Sequence, residues 1–219
     1  MEEIVVFTGA GVSAESGLKT FRDMAGLWRE YDIADVASPE GWRRNAATVL
    51  DFYNERRKSV LSTRPNGAHE AIAKLESNFD VTVITQNIDD LHERAGSSKV
   101  IHVHGEILKA RSSIDPGLMY PVNKPTLEMG ELCEKGSQLR PDVVWFGEEV
   151  RFMDDCIAHF SKASRILTVG TLLTVHPVAG LVRKARFSAE STSFLRTRRA
   201  FPTVSVSLGG RQPMWSRMS

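Results

Sequence analysis

Cysteine is scarce in this chain of 219 residues: Cys133 and Cys156 are the whole supply. Two thiols cannot build a disulfide framework or a four-cysteine zinc centre, so free thiols in a reducing, cytoplasmic setting are expected. No apolar run approaches the roughly 20 residues that span a bilayer. The first strand-like run starts at Glu3, which leaves no stretch for a secretory leader. An excess of one charge is missing too, since 28 basic residues face 27 acidic ones. The glycine-rich segment near the start has no Lys-Ser/Thr pair of the P-loop kind, which argues against triphosphate hydrolysis. It also lacks the third glycine of a dinucleotide fingerprint, with Ala14 in its place, and residues 21–60 contain no second strand to carry an acidic ribose ligand. A dehydrogenase is disfavoured on those grounds.

What is present is an ordinary globular composition, 42% hydrophobic and 25% charged, long enough for a full core. The balanced charge hides an asymmetry. Residues 183–219 carry seven arginines and Lys184 against Glu190 alone, a net +7, which leaves −6 on residues 1–182. This basic, serine-rich tail alternates only over Thr203–Leu208. Charge runs are usually solvated and the tail has no repeat, so a nucleic-acid partner is disfavoured.

Strand-like runs recur at 3–8, 81–85, 100–103, 142–146 and 165–169, with helical patterns between them. That alternation predicts an α/β fold, a parallel sheet covered by helices on both faces. Val49, Phe52, Tyr53, Arg56, Val60 and Leu61 recur at helical spacing within 46–62, and 66–77 reads as a second amphipathic helix. Residues 111–140, broken by Pro116, Gly117, Pro121, Pro125, Gly130 and Gly136, read as an irregular insert and not as core.

Three segments carry candidate chemistry. The run Ile4–Phe7 leads into Thr8-Gly9-Ala10-Gly11-Val12-Ser13-Ala14. A strand entering a glycine-rich turn and a helix start points backbone N–H groups at whatever lies above, either a pyrophosphate or nothing where the turn is a plain connection. Gln86, Asn87, Ile88 and Asp89 follow the β-run Val81–Ile84, at the strand end where open α/β sheets bind ligands. Their amides and carboxylate suit a ribose and a carboxamide; alternatively Asn87 or Asp89 caps the next helix. His102 and His104 end the following run, and the pair is expected to part to opposite faces, one packed inward and one facing a cleft as a general base.

The segments GAGVSAESGLKTFRD (Gly9–Asp23), TQNIDDLHERAG (Thr85–Gly96), HVHGE (His102–Glu106), LRPDVVWFGE (Leu139–Glu148) and Val169–Pro177 stand in the order of sirtuin motifs, over about 180 residues. The chain resembles a bacterial-type sirtuin. The resemblance implies an NAD-dependent protein lysine deacylase with a Rossmann-like large domain, in which nicotinamide leaves and the acyl group ends on ADP-ribose. It implies NAD contacts from Gly9, Ala10, Gly11, Ala14, Phe21, Arg22, Gln86, Asn87, Ile88, Asp89, Gly170 and Thr171. Of these, Phe21 would shield the reactive ribose carbon and Asp89 with Ile88 would take the nicotinamide carboxamide. It implies His104 as the catalytic base, Asn87 beside it, and His102 as a structural histidine. Val144, Trp145, Phe146 and Gly147 would line the acyl-lysine tunnel and pair with the substrate backbone, acylated lysine side chains of proteins being the partner and no membrane being involved. Tyr53 and Arg56, three apart on one helix face, can offer a phenol and a guanidinium to one anion or be a plain surface pair. The Tyr-x-x-Arg pattern is similar to that of the sirtuin class that removes succinyl and malonyl groups.

Two departures from the family stand out. Where two CxxC pairs usually bind structural zinc, this chain has Ser112-Ser113-Ile114-Asp115 and Cys133-Glu134-Lys135-Gly136. No zinc or other metal is therefore expected, with Leu118, Met119, Tyr120, Val122, Leu127 and Met129 packing the insert instead. Leu172 stands where the family usually has a serine, and the pattern stops after Val182. The expected organisation is a deacylase domain over 1–182, with small-module insertions at about 28–66 and 107–140. Residues 183–219 then form an atypical basic tail, disordered or read in a shifted frame. The alternative function is a catalytically impaired module that binds NAD or ADP-ribose.

Overall fold

The computed structural model describes residues 1–19, 31–173, 176–184, 192–195 and 204–207. Strand β1 (Glu3–Thr8) is followed by a 3₁₀ turn over Ala10–Ser16. Helices α1 (Ile33–Val36), α2 (Pro39–Arg44), α3 (Ala46–Ser62) and α4 (Gly67–Lys74) lead to β2 (Asp80–Thr85). Then come α5 (Leu91–Arg94), β3 (Val100–His102), β4 (Gly105–Ser112), β5 (Met119–Pro121), β6 (Leu139–Val143), α6 (Met153–Lys162) and β7 (Arg165–Val169). Two short strands, β8 (Thr192–Leu195) and β9 (Val204–Ser207), fall in the stretch expected as a tail, the rest of which past Lys184 lies outside the described residues.

The main sheet has the order β3-β2-β1-β7-β9-β8, with β1, β2, β3 and β7 mutually parallel and β9 antiparallel to both β7 and β8. The chain builds outward from β1 through β2 to β3, then returns to place β7 on the other side of β1. The ends of β1 and β7 therefore flank the switch point, where an open sheet leaves a crevice. Central strands read as continuous apolar runs because both faces are covered. Ile4 and Val6 pack with Val81, Val83 and Ile72 of α4, while Val5 and Phe7 pack with Ile166, Cys156 and Phe160 of α6.

The parallel sheet and its helices agree with the sequence expectation, but the run at 142–146 does not join that sheet. It belongs to β6, which pairs antiparallel with β4, itself paired with β5. A short apolar run shows that a strand forms without showing which sheet receives it. The insert likewise has a core of its own, in which Leu50 and Ala110 meet Val122, Leu127, Cys133 and Leu139, with Leu118 and Tyr120 against them. Met119 and Met129 are exposed and take no part in it. Single apolar residues scattered among turns leave no periodic trace, although they converge on folding.

A polar strut ties this second sheet to α3. Arg57 is fully buried, donating from Nε to the Ile107 carbonyl at 2.9 Å and from Nη1 to Asn54 Oδ1 at 2.7 Å. Asn54 in turn exchanges hydrogen bonds with both backbone groups of Leu127. Among the described residues, no helix is long and apolar enough to cross a membrane.

Phe160, fully buried with its ring edge-to-face on Phe7 at 5.6 Å, joins α6 to the central strand. Phe160→Ala is expected to destabilise the fold by ~3–5 kcal/mol, read as a lowered urea midpoint at unchanged m-value.

Candidate active site

The glycine turn is lashed to the end of β7. Gly9 N donates to the Val169 carbonyl at 3.1 Å and Gly11 N to the Gly170 carbonyl at 2.8 Å. Gly170 has φ +65°, and a Cβ there would lie 2.1 Å from Val12 N; one on Gly9 would lie 2.7 Å from Thr171 Cβ. Side chains are thus barred from the crevice floor. Ala10 is exposed, Gly11, Ala14, Gly170 and Thr171 half-buried, and Gln86 Nε2 reaches from the end of β2 to Thr171 Oγ1 at 2.9 Å. These residues converge as expected. Phe21 and Arg22 lie outside the described residues.

Behind this floor sits a hydroxyl that the site prediction did not include. Ser13 is buried, accepts from Asn87 Nδ2 at 3.0 Å and donates to Asp89 Oδ2 at 3.1 Å. His69 Nδ1 accepts from the Asn66 N–H, so its Nε2 carries the proton and faces Ser13 Oγ at 3.4 Å. One serine thereby orients an amide and a carboxylate of the β2 loop. Its position inside the glycine motif was the available signal; His69, in a capping box at the start of α4, reads from sequence as a helix cap only. Asp89 Oδ1 also accepts from the Leu91 N–H at 3.3 Å, at the first turn of α5. Burial raises its pKa, and the Leu91 and Ser13 hydrogen bonds partly offset that.

His104 is half-buried at the rim, with Nδ1 3.0 Å from the Gln86 carbonyl. A carbonyl only accepts, so Nδ1 holds the proton and Nε2 presents a lone pair. Burial lowers the pKa, which keeps the ring neutral at pH 7. His102 does not part from it to the opposite face. Its Nδ1 lies 2.9 Å from the next carbonyl of the same loop, that of Asn87, and its Nε2 2.7 Å from Glu93 Oε1. Strand β3 ends at His102 and His104 lies in the turn that follows, so strand alternation does not govern the pair, and both rings reach one loop.

On the other side of the loop, the Ile88 carbonyl accepts from Ile107 N at 2.8 Å, and Ile88 packs into the cluster holding Tyr53, Val143 and Trp145. Trp145 Nε1 donates to Tyr53 Oη at 3.1 Å. Burial pushes the Tyr53 phenol up to about 12, so it stays protonated and its own O–H remains a donor. Arg56, one turn on, is half-buried with its guanidinium 5.4 Å over the Phe52 ring. Trp145 is held from behind, with Arg140 stacked 3.2 Å over its ring and Glu148 Oε2 accepting its backbone N–H at 2.9 Å. Glu148 also binds Arg140 and Arg111 at 2.7 and 2.8 Å. The N–H groups of Val144, Trp145 and Phe146 are all engaged internally, with the His104 carbonyl, Glu148 and the Ala37 carbonyl. An added strand would therefore have to use carbonyls of this segment and the turn at Gly147, which has φ +90°. Phe146 is exposed.

Comparison with known proteins places these features in context. The Sir2 family profile matches residues 9–177. The chain is 50% identical over 189 residues to an NAD-dependent protein deacylase of Helicobacter pylori, covering 86% of this chain and 80% of that protein. It is 49% identical over 195 residues to an NAD-dependent protein deacylase of Bacteroides thetaiotaomicron, covering 87% and 83%. Among solved structures, a Sir2 homolog–NAD complex matches with a TM-score of 0.75 at 40% identity, over 82% of this chain and 72% of the other. A mutant Sir2 homologue–ADP ribose complex gives the same score and identity over 82% and 74%.

The buried histidines generate a pH dependence whose sign follows from linkage. Burial pushes His69 from 6.5 down to about 4 and His92 to about 3. The unfolded chain takes up those protons first, so stability falls as pH drops below 6.5. His102 acts oppositely: burial lowers its pKa, but Glu93 outweighs that and raises it, giving stability that is lost as pH rises through the folded value. His92 faces Thr8 Oγ1 through Nε2 at 3.0 Å, and a glutamine amide can replace that contact. The urea midpoint is expected to fall from pH 6.5 to pH 4, with a shallower slope in His92→Gln; an identical slope would refute the assignment.

Proposed function

The chain belongs to the Sir2 family and is an NAD-dependent protein lysine deacylase; we propose further that its acyl pocket favours succinyl and malonyl groups. The observation carrying that preference is the Tyr53–Trp145 hydrogen bond, in which the phenol only accepts, with Arg56 one turn on along the same face of α3. A neutral acetyl group has no use for either, whereas a terminal carboxylate accepts from both.

Residues at the switch point fit a dinucleotide. The floor between Gly9 and Gly170 has no room for side chains, and Gln86, Asn87 and Asp89 supply amide donors and a carboxylate around it. Bound NAD supplies a ribose carbon whose bond to nicotinamide breaks as the acyl oxygen attacks. Gln86 and Asn87 hold ribose hydroxyls, and Asp89 with Ile88 receives the carboxamide. The carboxyl of Asp89, brought nearer protonation by burial, suits an amide partner. His104 takes a ribose hydroxyl proton on Nε2, while the Gln86 carbonyl at Nδ1 steadies the imidazolium that forms. The deacylase domain is assigned to residues 1–182, where core packing extends to Leu181 and Val182, and β9 and β8 add to its main sheet from beyond that bound.

Matched succinyl-lysine and acetyl-lysine peptides with NAD test this reading through nicotinamide release and peptide mass. Desuccinylation should be lost in His104→Ala and fall about tenfold in Arg56→Met, as expected for one charge-assisted hydrogen bond, with deacetylation largely retained. NAD binding without turnover on any acyl peptide would replace the enzyme reading with that of a binding module.

The insert is proposed to fold without zinc. Ser112 Oγ accepts the Ile114 and Asp115 N–H groups, lies 2.8 Å from Ser137 Oγ and accepts from Cys133 Sγ at 3.4 Å. Lys135 pairs with Asp115 across the same two turns at 2.6 Å. Hydroxyls are poor zinc ligands, and among the described residues no three His, Cys, Asp or Glu side chains cluster to hold an ion. Purified protein should contain no stoichiometric zinc by elemental analysis, and its melting temperature should survive EDTA unchanged; one zinc per chain would overturn this.

A further inference from the structure

The loop Gln86–Asp89 has no regular secondary structure, so its backbone polar groups must be satisfied by side chains. Asn87 is held at its N–H, its side-chain nitrogen and its backbone carbonyl. Its N–H donates to Thr85 Oγ1 at 3.0 Å, its side-chain amide to Ser13, and its carbonyl faces His102 Nδ1. Thr85 is itself oriented by Thr8, which donates to it at 2.8 Å. His102 is set between two acceptors, a carbonyl on one nitrogen and a carboxylate on the other.

We propose that His102 and Glu93 are a positioning pair for the Asn87 peptide, with the imidazolium of His102 donating to the Asn87 carbonyl and anchored by the Glu93 carboxylate. The pair touches neither substrate, and its effect rests on the role given to Asn87 above. Two protons are needed to satisfy both acceptors. When one is lost, the 2.7 Å contact with Glu93 keeps the remaining proton on Nε2. Nδ1 then turns a lone pair on the carbonyl oxygen 2.9 Å away, and attraction becomes repulsion at the residue that holds the ribose.

Charged and titratable groups surround the ring on every side. Glu93 and His92 approach from α5, Asp89 from the loop and Glu106 from β4. A cavity of about 660 Å³ beside β3 adds Lys99 from the adjoining turn and Asp155, His159 and Lys162 from α6. Acidic groups nearest the ring favour the imidazolium and burial opposes it; the acidic groups outweigh burial and the pKa is raised. Glu93 is the partner in direct contact, so neutralising it should weaken the clamp first at alkaline pH.

The test is the NAD dissociation constant, measured by calorimetry from pH 6 to pH 9, alongside kcat and KM for NAD with an acyl-lysine peptide. His102→Phe should weaken NAD binding about tenfold at pH 6, the loss of one charge-assisted hydrogen bond. His102→Asn, whose amide nitrogen replaces Nδ1, should recover most of that and show no alkaline weakening. Glu93→Gln should match the parent at pH 6 and weaken about one pH unit earlier on the alkaline side. The change should fall on KM for NAD more than on kcat. An Asn variant no better than Phe, or a Glu93→Gln profile superimposable on the parent, would overturn the proposal. Absence of turnover in the parent would refute the deacylase reading instead, since the binding arm still decides the clamp.

Discussion

Two backbone hydrogen bonds, Gly9 to Val169 and Gly11 to Gly170, hold the rest of this molecule in relation. They draw the turn after β1 against the end of β7 so closely that a Cβ at Gly170 would overlap the backbone at Val12. Because β1 is the strand at which the sheet changes direction, that contact sets the floor of the only place in a parallel sheet where diverging loops leave a crevice. The Gln86–Thr171 bond closes the same crevice from the β2 side. Glycine is needed here for approach distance as much as for conformation.

Above that floor, polar groups are organised in the interior and not in water. Ser13 accepts from an amide and a histidine while donating to a carboxylate, which leaves its oxygen saturated. Thr8 and Thr85 extend the pattern toward His92, whose Nδ1 has no hydrogen-bond partner. Burying such groups costs stability unless each bond is made with good geometry. What is obtained in exchange is orientation: all four residues 86–89 have their backbone or side chain held by a partner from another element.

The face of the loop toward α3 is organised by a different force. Trp145 lies between the Arg140 guanidinium and the Tyr53 phenol, with Glu148 balancing Arg140 and Arg111. Burial would raise the Glu148 carboxyl, but its hydrogen bonds to Arg140 and Trp145 bring it below the ordinary range and keep it ionised. A cavity of about 530 Å³ lies behind this stack, lined by Arg111, Arg140, Glu148 and Arg151, away from the crevice. The stack therefore braces Trp145 against Tyr53 of α3, which Arg57 struts to the second sheet.

The amino-acid order by itself determined the parallel sheet, because Ile4–Phe7, Val81–Ile84 and Ile166–Val169 are apolar on both faces and separated by helical spacing. It determined the glycine turn, the amide-rich loop and the strand-end histidines as sites of chemistry, because small residues and titratable groups stand out in an otherwise apolar pattern. Tertiary structure alone decided that β6 pairs with β4, that scattered residues of the insert share a core, and that both histidines serve one loop. It alone brought Ser13 to Asn87 and Asp89, and Trp145 to Tyr53, across 74, 76 and 92 residues of chain. Periodicity reports which way a side chain faces within its own element, whereas a hydrogen bond between elements depends on how those elements dock, which no local pattern encodes.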